Sequence, residues 1–263
     1  MKPLILISND DGIRAAGLLA LANALSDLGE VVVVAPDRER SATSHAITLD
    51  APLRATEGPP GWWAIDGTPA DCVYLALLHL LDRRPALVVS GINHGYNLGS
   101  DFFYSGTVAA AVEAALRDLP AFAISLGGSS PDGFRSAASF AHALARAILE
   151  EGLPRKTVLN VNVPHPGPGA TAPLGYRFTR PGERAYRDHV EVRTDLRGRR
   201  YFWIGGPALD GEEPPDSDLG AVRRGIVSVT PLDLDLTSQP LLAALPGWRL
   251  PGFEAILDEE FGR

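Results

Sequence analysis

The sequence predicts a three-layer α/β/α fold on a doubly wound, mostly parallel, Rossmann-like sheet, with a C-terminal β-hairpin and an extended assembly tail. Three observations predict it. Short β-branched runs alternate with helical patterns as far as Val163. Polar, Gly- and Asn-rich stretches fall just after several of those runs. Beyond Pro164 the alternation stops and the composition turns to Pro, Gly and Asp. The chain therefore reads as an α/β catalytic core over 1–163 and a C-terminal part over 164–263 that completes the same domain.

Leu4 to Ser8 is the first strand. The helix after it carries Leu18, Leu21, Ala22, Leu25 and Leu28 on one face and stops at Gly29. Glu30 to Ala35 is the second strand, ended by Pro36. Thr48 to Arg54 and Trp62 to Asp66 read as shorter strands around the Gly58-Pro59-Pro60-Gly61 turn. Thr68 as N-cap and Pro69 at the first helical position open a helix towards Leu81. Ala86 to Ile92 is a buried strand, and Ser105-Gly106-Thr107 opens a helix with Val108, Val112, Ala115 and Leu116 on one face. Ala121 to Leu126, a helix marked by Phe134, Ala138, Ala141, Ala145 and Ile148, and Thr157 to Val163 finish the regular part. Val190 to Ile204 reads as a hairpin around Leu196-Arg197-Gly198, and Ile226 to Thr230 as one more strand. From Pro240 the tail keeps Leu241, Leu242, Leu245, Trp248, Phe253, Ile256, Leu257 and Phe261, apolar surface that must bury at home or on a partner.

With 263 residues, 45% apolar and 21% charged, the chain can bury the core of one large domain. No apolar run approaches a membrane span, and the opening strand is too short for a signal peptide. The single cysteine, Cys72, cannot form an internal disulfide, which points to a reducing, cytoplasmic compartment. A net charge of −8 argues against a general nucleic-acid binder, which needs a basic stripe. Arg outnumbers Lys 22 to 2, and there is one Gln and one Met; a heat-adapted source and a GC-rich genome both give such a bias.

Three polar stretches follow strands: Asn9-Asp10-Asp11-Gly12, Asp37-Arg38-Glu39-Arg40-Ser41 and Gly91-Ile92-Asn93-His94-Gly95-Tyr96-Asn97. In an open α/β sheet, sites form outside the carboxyl ends of the strands at a topological switch point, so these loops can converge. They offer adjacent carboxylates, a hydroxyl and amides, hard oxygen donors suited to Mg²⁺ or Mn²⁺, and no Cys/His zinc spacing exists. Taken singly, Asn-Asp-Asp-Gly is a turn signal, the Asp37 loop a solvated charge cluster and the Gly91 loop a turn. Ser105-Gly106-Thr107 is the candidate anion site, since a helix N-terminus holds phosphate without lysine, although Ser at that position is also an ordinary N-cap.

Ser8-Asn9-Asp10-Asp11-Gly12, Val34-Ala35-Pro36-Asp37-Arg38 with Arg40-Ser41, Gly67-Thr68-Pro69-Ala70-Asp71-Cys72-Val73, Ser90-Gly91-Ile92-Asn93 and Tyr104-Ser105-Gly106-Thr107-Val108-Ala109-Ala110-Ala111 resemble the survival protein E (SurE) family in order and spacing. Weaker similarity continues through Leu159-Asn160-Val161-Asn162-Val163-Pro164 and Val227-Ser228-Val229-Thr230-Pro231-Leu232. The resemblance implies a nucleotidase releasing phosphate from nucleoside 5′- or 3′-monophosphates, with polyphosphate a further substrate in relatives. It implies one divalent cation per subunit, Mg²⁺ or Mn²⁺, held by Asp10, Asp11, Ser41 and Asn93, with Asn97, Ser105, Gly106 and Thr107 lining the phosphate pocket. It also implies exchange of C-terminal elements between subunits, hence a homodimer or a dimer of dimers. Ala15-Ala16-Gly17, Ala42-Thr43-Ser44-His45, His94 and Tyr96 depart from the family pattern at the pocket border and bear on substrate preference.

The chemistry expected is metal-assisted hydrolysis of a phosphomonoester, with Asp10, Asp11 and Asn97 as catalytic candidates. In an alternative route Asp10 or Asp11 is the base or the nucleophile. A haloacid-dehalogenase-like phosphatase expects Asp-x-Asp, whereas these carboxylates are adjacent; a non-catalytic nucleotide sensor keeps the pocket without a competent metal. His45 and His94 are candidate proton donors to the leaving oxygen. His79 and His142 read as structural, Cys72 as a small buried hydrophobe, and Phe103 and Tyr104 as rings able to stack on a base or pack on the loop.

Overall fold

Leu4–Ser8 forms β1, buried at all five positions, and the two elements either side of it explain why. β2 (Glu30–Pro36) and β5 (Leu87–His94) both pair with it in parallel, and helices cover both faces, so a run of apolar residues with no alternation is what this position demands. The computed structural model describes residues 2–128, 130–165, 173–183, 189–206, 213–248 and 251. With β3 (Ala55–Glu57), β4 (Trp62–Ile65), β6 (Ala121–Leu126), β7 (Thr157–Val163), β8 (Tyr176–Phe178) and β11 (Val227–Asp233), one nine-stranded sheet runs in the order β3-β4-β2-β1-β5-β6-β7-β11-β8. The central strands β4 to β7 are parallel; β3 and β11 pair antiparallel with β4 and β7. The chain winds from β1 outward through β2, then returns to β5 on the other side, so the switch point lies between β1 and β5.

α1 (Ala16–Leu25) and α4 (Pro131–Glu151) cover one face around Ile5, Ile7, Phe122 and Ile124. α2 (Pro69–Leu75) and α3 (Gly106–Leu116) cover the other around Leu6, Val34 and Val88. Ser130 caps α4 through the Gly133 N–H. Thr68 caps α2 in a capping box with Asp71, whose carboxylate also accepts from the Thr48 N–H at 2.9 Å and the Thr48 hydroxyl at 2.7 Å.

Several expectations change. Thr48 to Arg54 is not a strand: the polar groups of Thr48 go to Asp71, Leu49 is exposed, and pairing starts only at Ala55. The first helix ends at Leu25 with a turn after it, yet Leu28 still packs on the core. On α3 the expected Val108 and Ala115 are in the core, joined by Ala110, Ala111 and Ala114, whose small side chains let helix and sheet approach; Val112 and Leu116 also line an apolar cavity of about 410 Å³.

β9 (His189–Thr194) and β10 (Arg200–Gly205) form a separate antiparallel hairpin, exposed along its whole length. α5 (Asp218–Arg223) precedes β11, and α6 (Gln239–Ala244) is exposed, as are Leu241, Leu242 and Trp248. Phe253, Ile256, Leu257 and Phe261 lie outside the described residues. Among the described residues no helix is long and apolar enough to cross a membrane.

Gly17 is where α1 touches the site-bearing end of β5: a Cβ there would sit 2.1 Å from the Ile92 carbonyl oxygen. Alanine raises helix propensity by about 1 kcal/mol at most, and the overlap with main chain outweighs it. Gly17→Ala is expected to lower the melting temperature, and calorimetry showing an unchanged or higher value contradicts this packing.

Candidate active site

Each site loop leaves the carboxyl end of a strand and is tied to its neighbours by main-chain hydrogen bonds. After β1 the Asn9 amide donates to the Gly12 carbonyl at 3.0 Å and closes the turn that presents Asp10 and Asp11. The Arg40 N–H donates to the Asp10 carbonyl at 2.7 Å, and Ile13 N–H to Pro36 at 2.8 Å, joining the β1 and β2 loops. At the end of β5, Asn93 and His94 are its last two residues. A cavity of about 410 Å³ opens between these loops, and Asp10, Ser41, Asn93, Asn97 and Ser105 line it together. Ala42, His94, Tyr96, Asp101 and Tyr104 complete its wall. Asp11, Gly106 and Thr107, expected at the site, are not among the residues that line it.

Asp10 is buried, and burial pushes its carboxyl up to about 6, helped by the neighbouring Asp11 charge and opposed first by the Thr107 hydroxyl. That hydroxyl donates to Asp10 Oδ1, so Thr107 holds the carboxylate and is itself fully buried. The expected anion site at the start of α3 is thus shared with the protein's own carboxylate, which gains from the helix N-terminus as any anion would. Ser105 caps α3 through the Val108 N–H at 3.1 Å and still reaches the cavity wall. Gly106 allows the approach: a Cβ there would meet Asp10 Cβ at 3.0 Å.

Burial also raises the Asp11 carboxyl, and the His94 ring opposes this most. Asp11 accepts from the His94 N–H at 3.2 Å and lies 3.9 Å from His94 Nδ1. Among the described residues neither carboxylate pairs with Lys or Arg. Asn93 Nδ2 donates to Gly95 at 2.9 Å, which leaves its Oδ1 as an acceptor. Ser41 Oγ donates to Glu39 at 2.7 Å and keeps its lone pairs. Two carboxylates raised by burial, an amide oxygen and a hydroxyl oxygen are a donor set that fits a hard divalent cation. No group of three or more His, Cys, Asp or Glu placed to hold a metal exists among the described residues, so this candidate set rests on two carboxylates with amide and hydroxyl oxygens beside them.

The other candidates separate. His94 lines the cavity and packs on Phe134 at 5.1 Å between ring centroids. His45 does not reach the cavity; its Nε2 lies 2.7 Å from buried Glu113, which also pairs with Arg117. His142 pairs with Asp27 at 3.1 Å, His79 is exposed on the turn after α2, and Cys72 is buried with its thiol pushed well up by burial. Phe103 packs on Phe102, whereas Tyr104 is exposed at the cavity mouth. The Asp37 loop is the expected ion-pair cluster, with Asp37 3.7 Å from Arg38 and 3.5 Å from Arg40. Asp101, and Asn160, Asn162 and Ser125 beneath Asn97, are not among the site residues expected from the sequence, although Leu159 to Pro164 carries part of the resemblance; two asparagines alternating in the otherwise apolar Val158–Val163 are the signal for the latter group.

The family model described as Survival protein SurE matches residues 5–188. The chain belongs to the SurE family. A protein of Anaeromyxobacter dehalogenans (strain 2CP-C) named 5'-nucleotidase SurE is 53% identical over 95% of this chain and 97% of its own length. One of the same name from Myxococcus xanthus is also 53% identical, over 95% of this chain and 94% of its own. A crystal structure of the SurE protein from Aquifex aeolicus superposes with a TM-score of 0.82 at 39% identity, over 93% of this chain and 99% of that one.

The Asp10 environment has a consequence for the metal-free SurE chain. Its folded-state pKa of about 6 lies above the ordinary 3.8, so the folded state holds the proton more tightly than the unfolded one. Stability from this group is therefore present below about pH 4 and lost as pH rises through about 6, by roughly 3 kcal/mol. Asp10→Asn is expected to flatten that part of the stability–pH curve in chelator; an unaltered slope in urea titrations between pH 4 and 6 contradicts it.

Proposed function

We propose that this SurE chain is a divalent-metal-dependent 5'-nucleotidase, with nucleoside 3′-monophosphates and polyphosphate as secondary substrates. The observation that carries the reading is the Asp10–Asp11 pair at the switch point, raised by burial and without Lys or Arg partners among the described residues, in a chain whose relatives are named 5'-nucleotidase SurE. Asp10, Asp11, Ser41 and Asn93 hold one Mg²⁺ or Mn²⁺ ion. When bound, that ion supplies the positive charge a phosphate dianion needs and the Lewis acidity that polarises its oxygens. Asn97 and Ser105 donate to the phosphoryl oxygens, helped by the main chain of Gly106 at the start of α3. Thr107 holds Asp10 through its hydroxyl. His94 is the proton donor to the leaving nucleoside oxygen, and Tyr104 offers a ring face to the base.

Phosphate release from nucleoside monophosphates is expected to vanish with chelator and return with Mn²⁺ or Mg²⁺. Asp11→Asn, which keeps size but removes one charge, is expected to weaken metal affinity by calorimetry and to lower turnover while the fold survives. Full activity in that variant, or in metal-stripped protein, contradicts the reading; phosphate binding with no turnover in the metal-loaded chain identifies a sensor instead.

The enzyme is cytoplasmic and works as a homodimer or a dimer of dimers. The support is apolar surface: Phe202, Trp203 and Ile204 on the hairpin, and Leu241, Leu242 and Trp248 in the tail, are all exposed in the isolated chain. A two-stranded hairpin is marginal alone and needs such a partner. Light scattering is expected to give a closed oligomer, and truncation before Pro240 to lose the dimer. A full-length monomer at micromolar concentration contradicts it.

A further inference from the structure

The main chain of Asn97 is held by buried side chains from elsewhere in the fold. Its N–H donates to Asn162 Oδ1 at 2.8 Å, and its carbonyl accepts from Asn162 Nδ2 at 3.0 Å and Asn160 Nδ2 at 2.7 Å. The carboxamide of Asn162 thus pairs with both polar main-chain groups of one residue, as a neighbouring strand would. The Asn97 side chain is set separately: its Nδ2 donates to Ser125 Oγ on β6 at 2.8 Å. Two residues further on, the Gly99 N–H donates to Asp218 Oδ2 at 2.8 Å, so the same loop is anchored again by the start of α5.

Asn160, Asn162 and Ser125 are all essentially inaccessible, on two parallel strands inside the sheet where apolar side chains would pack. Among the described residues no group donates to the buried Asn160 Oδ1, and the residue's side-chain hydrogen bond goes to Asn97. Such an arrangement is poorly explained as stabilisation alone. Its geometric product is a fixed Asn97, at the wall of the cavity that Asp10 and Asn93 share.

We infer that Asn160, Asn162 and Ser125 form a buried clamp that positions the Asn97 carboxamide for phosphoryl transfer, acting through Asn97 and never touching the substrate. The inference rests on the phosphate-handling reading of Asn97. It also gives β7 a task beyond pairing, since the strand that closes the parallel part of the sheet fixes one wall of the site.

The test is a double-mutant cycle on the full-length, metal-loaded protein. Asn162→Ala is expected to lower kcat on a nucleoside 5′-monophosphate by on the order of tenfold to a hundredfold, with KM moving much less. In an Asn97→Ala background the same change is expected to cost little more, because its effect passes through Asn97. Ser125→Ala, a one-atom deletion, carries the same cycle if Asn162→Ala does not fold by calorimetry, and Ser125→Thr, which keeps the hydroxyl, is expected to recover turnover. Losses that multiply in the double variant overturn the clamp while leaving Asn97 in the site. Normal turnover in Asn97→Ala overturns both. The affinity for inorganic phosphate, measured by calorimetry on the same four proteins, reads the cycle without turnover: in a wild type that hydrolyses no nucleotide, coupled losses there still uphold the clamp and independent losses overturn it.

Discussion

The Asp10 carboxyl is buried at the end of β1 against the first turn of α3, and much of the site follows from accommodating it there. Burial alone makes the charged form costly; the Thr107 hydroxyl opposes that cost only in part. The same contact sets how closely α3 approaches β1, which is why position 106 has no side chain. Its main-chain carbonyl, in turn, receives the Arg40 N–H and brings the Ser41 loop alongside. One residue therefore couples a strand, a helix N-terminus and a neighbouring loop. Among the described residues neither Asp10 nor Asp11 meets Lys or Arg, and the amide and hydroxyl oxygens beside them complete a donor set that fits a hard divalent cation.

The apolar layers make that arrangement affordable in stability terms. Phe122, Ile124 and Leu126 on β6 and Ile5, Leu6 and Ile7 on β1 are fully buried, and each such side chain contributes about 1.5–3 kcal/mol. Against this background a handful of buried polar residues can be kept at the carboxyl edge of the sheet: Asn9, Asp10, Asn97, Ser125, Asn160 and Asn162. They serve orientation: Asn9 closes the turn that presents Asp10, and Ser125, Asn160 and Asn162 hold Asn97. The periphery behaves differently. The hairpin and α6 carry exposed aromatic and aliphatic side chains with little of the described fold against them.

Much of the fold and half of the site's logic can be read directly from the chain, because both rest on local pattern. A strand buried on both faces must be continuously apolar, a helix against a sheet must repeat near every 3.6 residues, and Thr-Pro or Ser before an Ala-rich run must cap. Those rules determine β1, β2, β5, β6, β7 and the four covering helices, and so determine that the Asp10, Ser41 and Asn93 loops share one edge. What the tertiary structure decided depends on partners distant in sequence. Thr48 forgoes a strand because Asp71, 23 residues away, takes its polar groups. His45 leaves the site because Glu113 captures it, while His94 stays. Thr107 serves Asp10, and Asn160 and Asn162 serve Asn97 across 63 and 65 residues. Hydrogen bonds of buried side chains have no period along the chain; only the packed sheet brings their donors and acceptors within 3 Å.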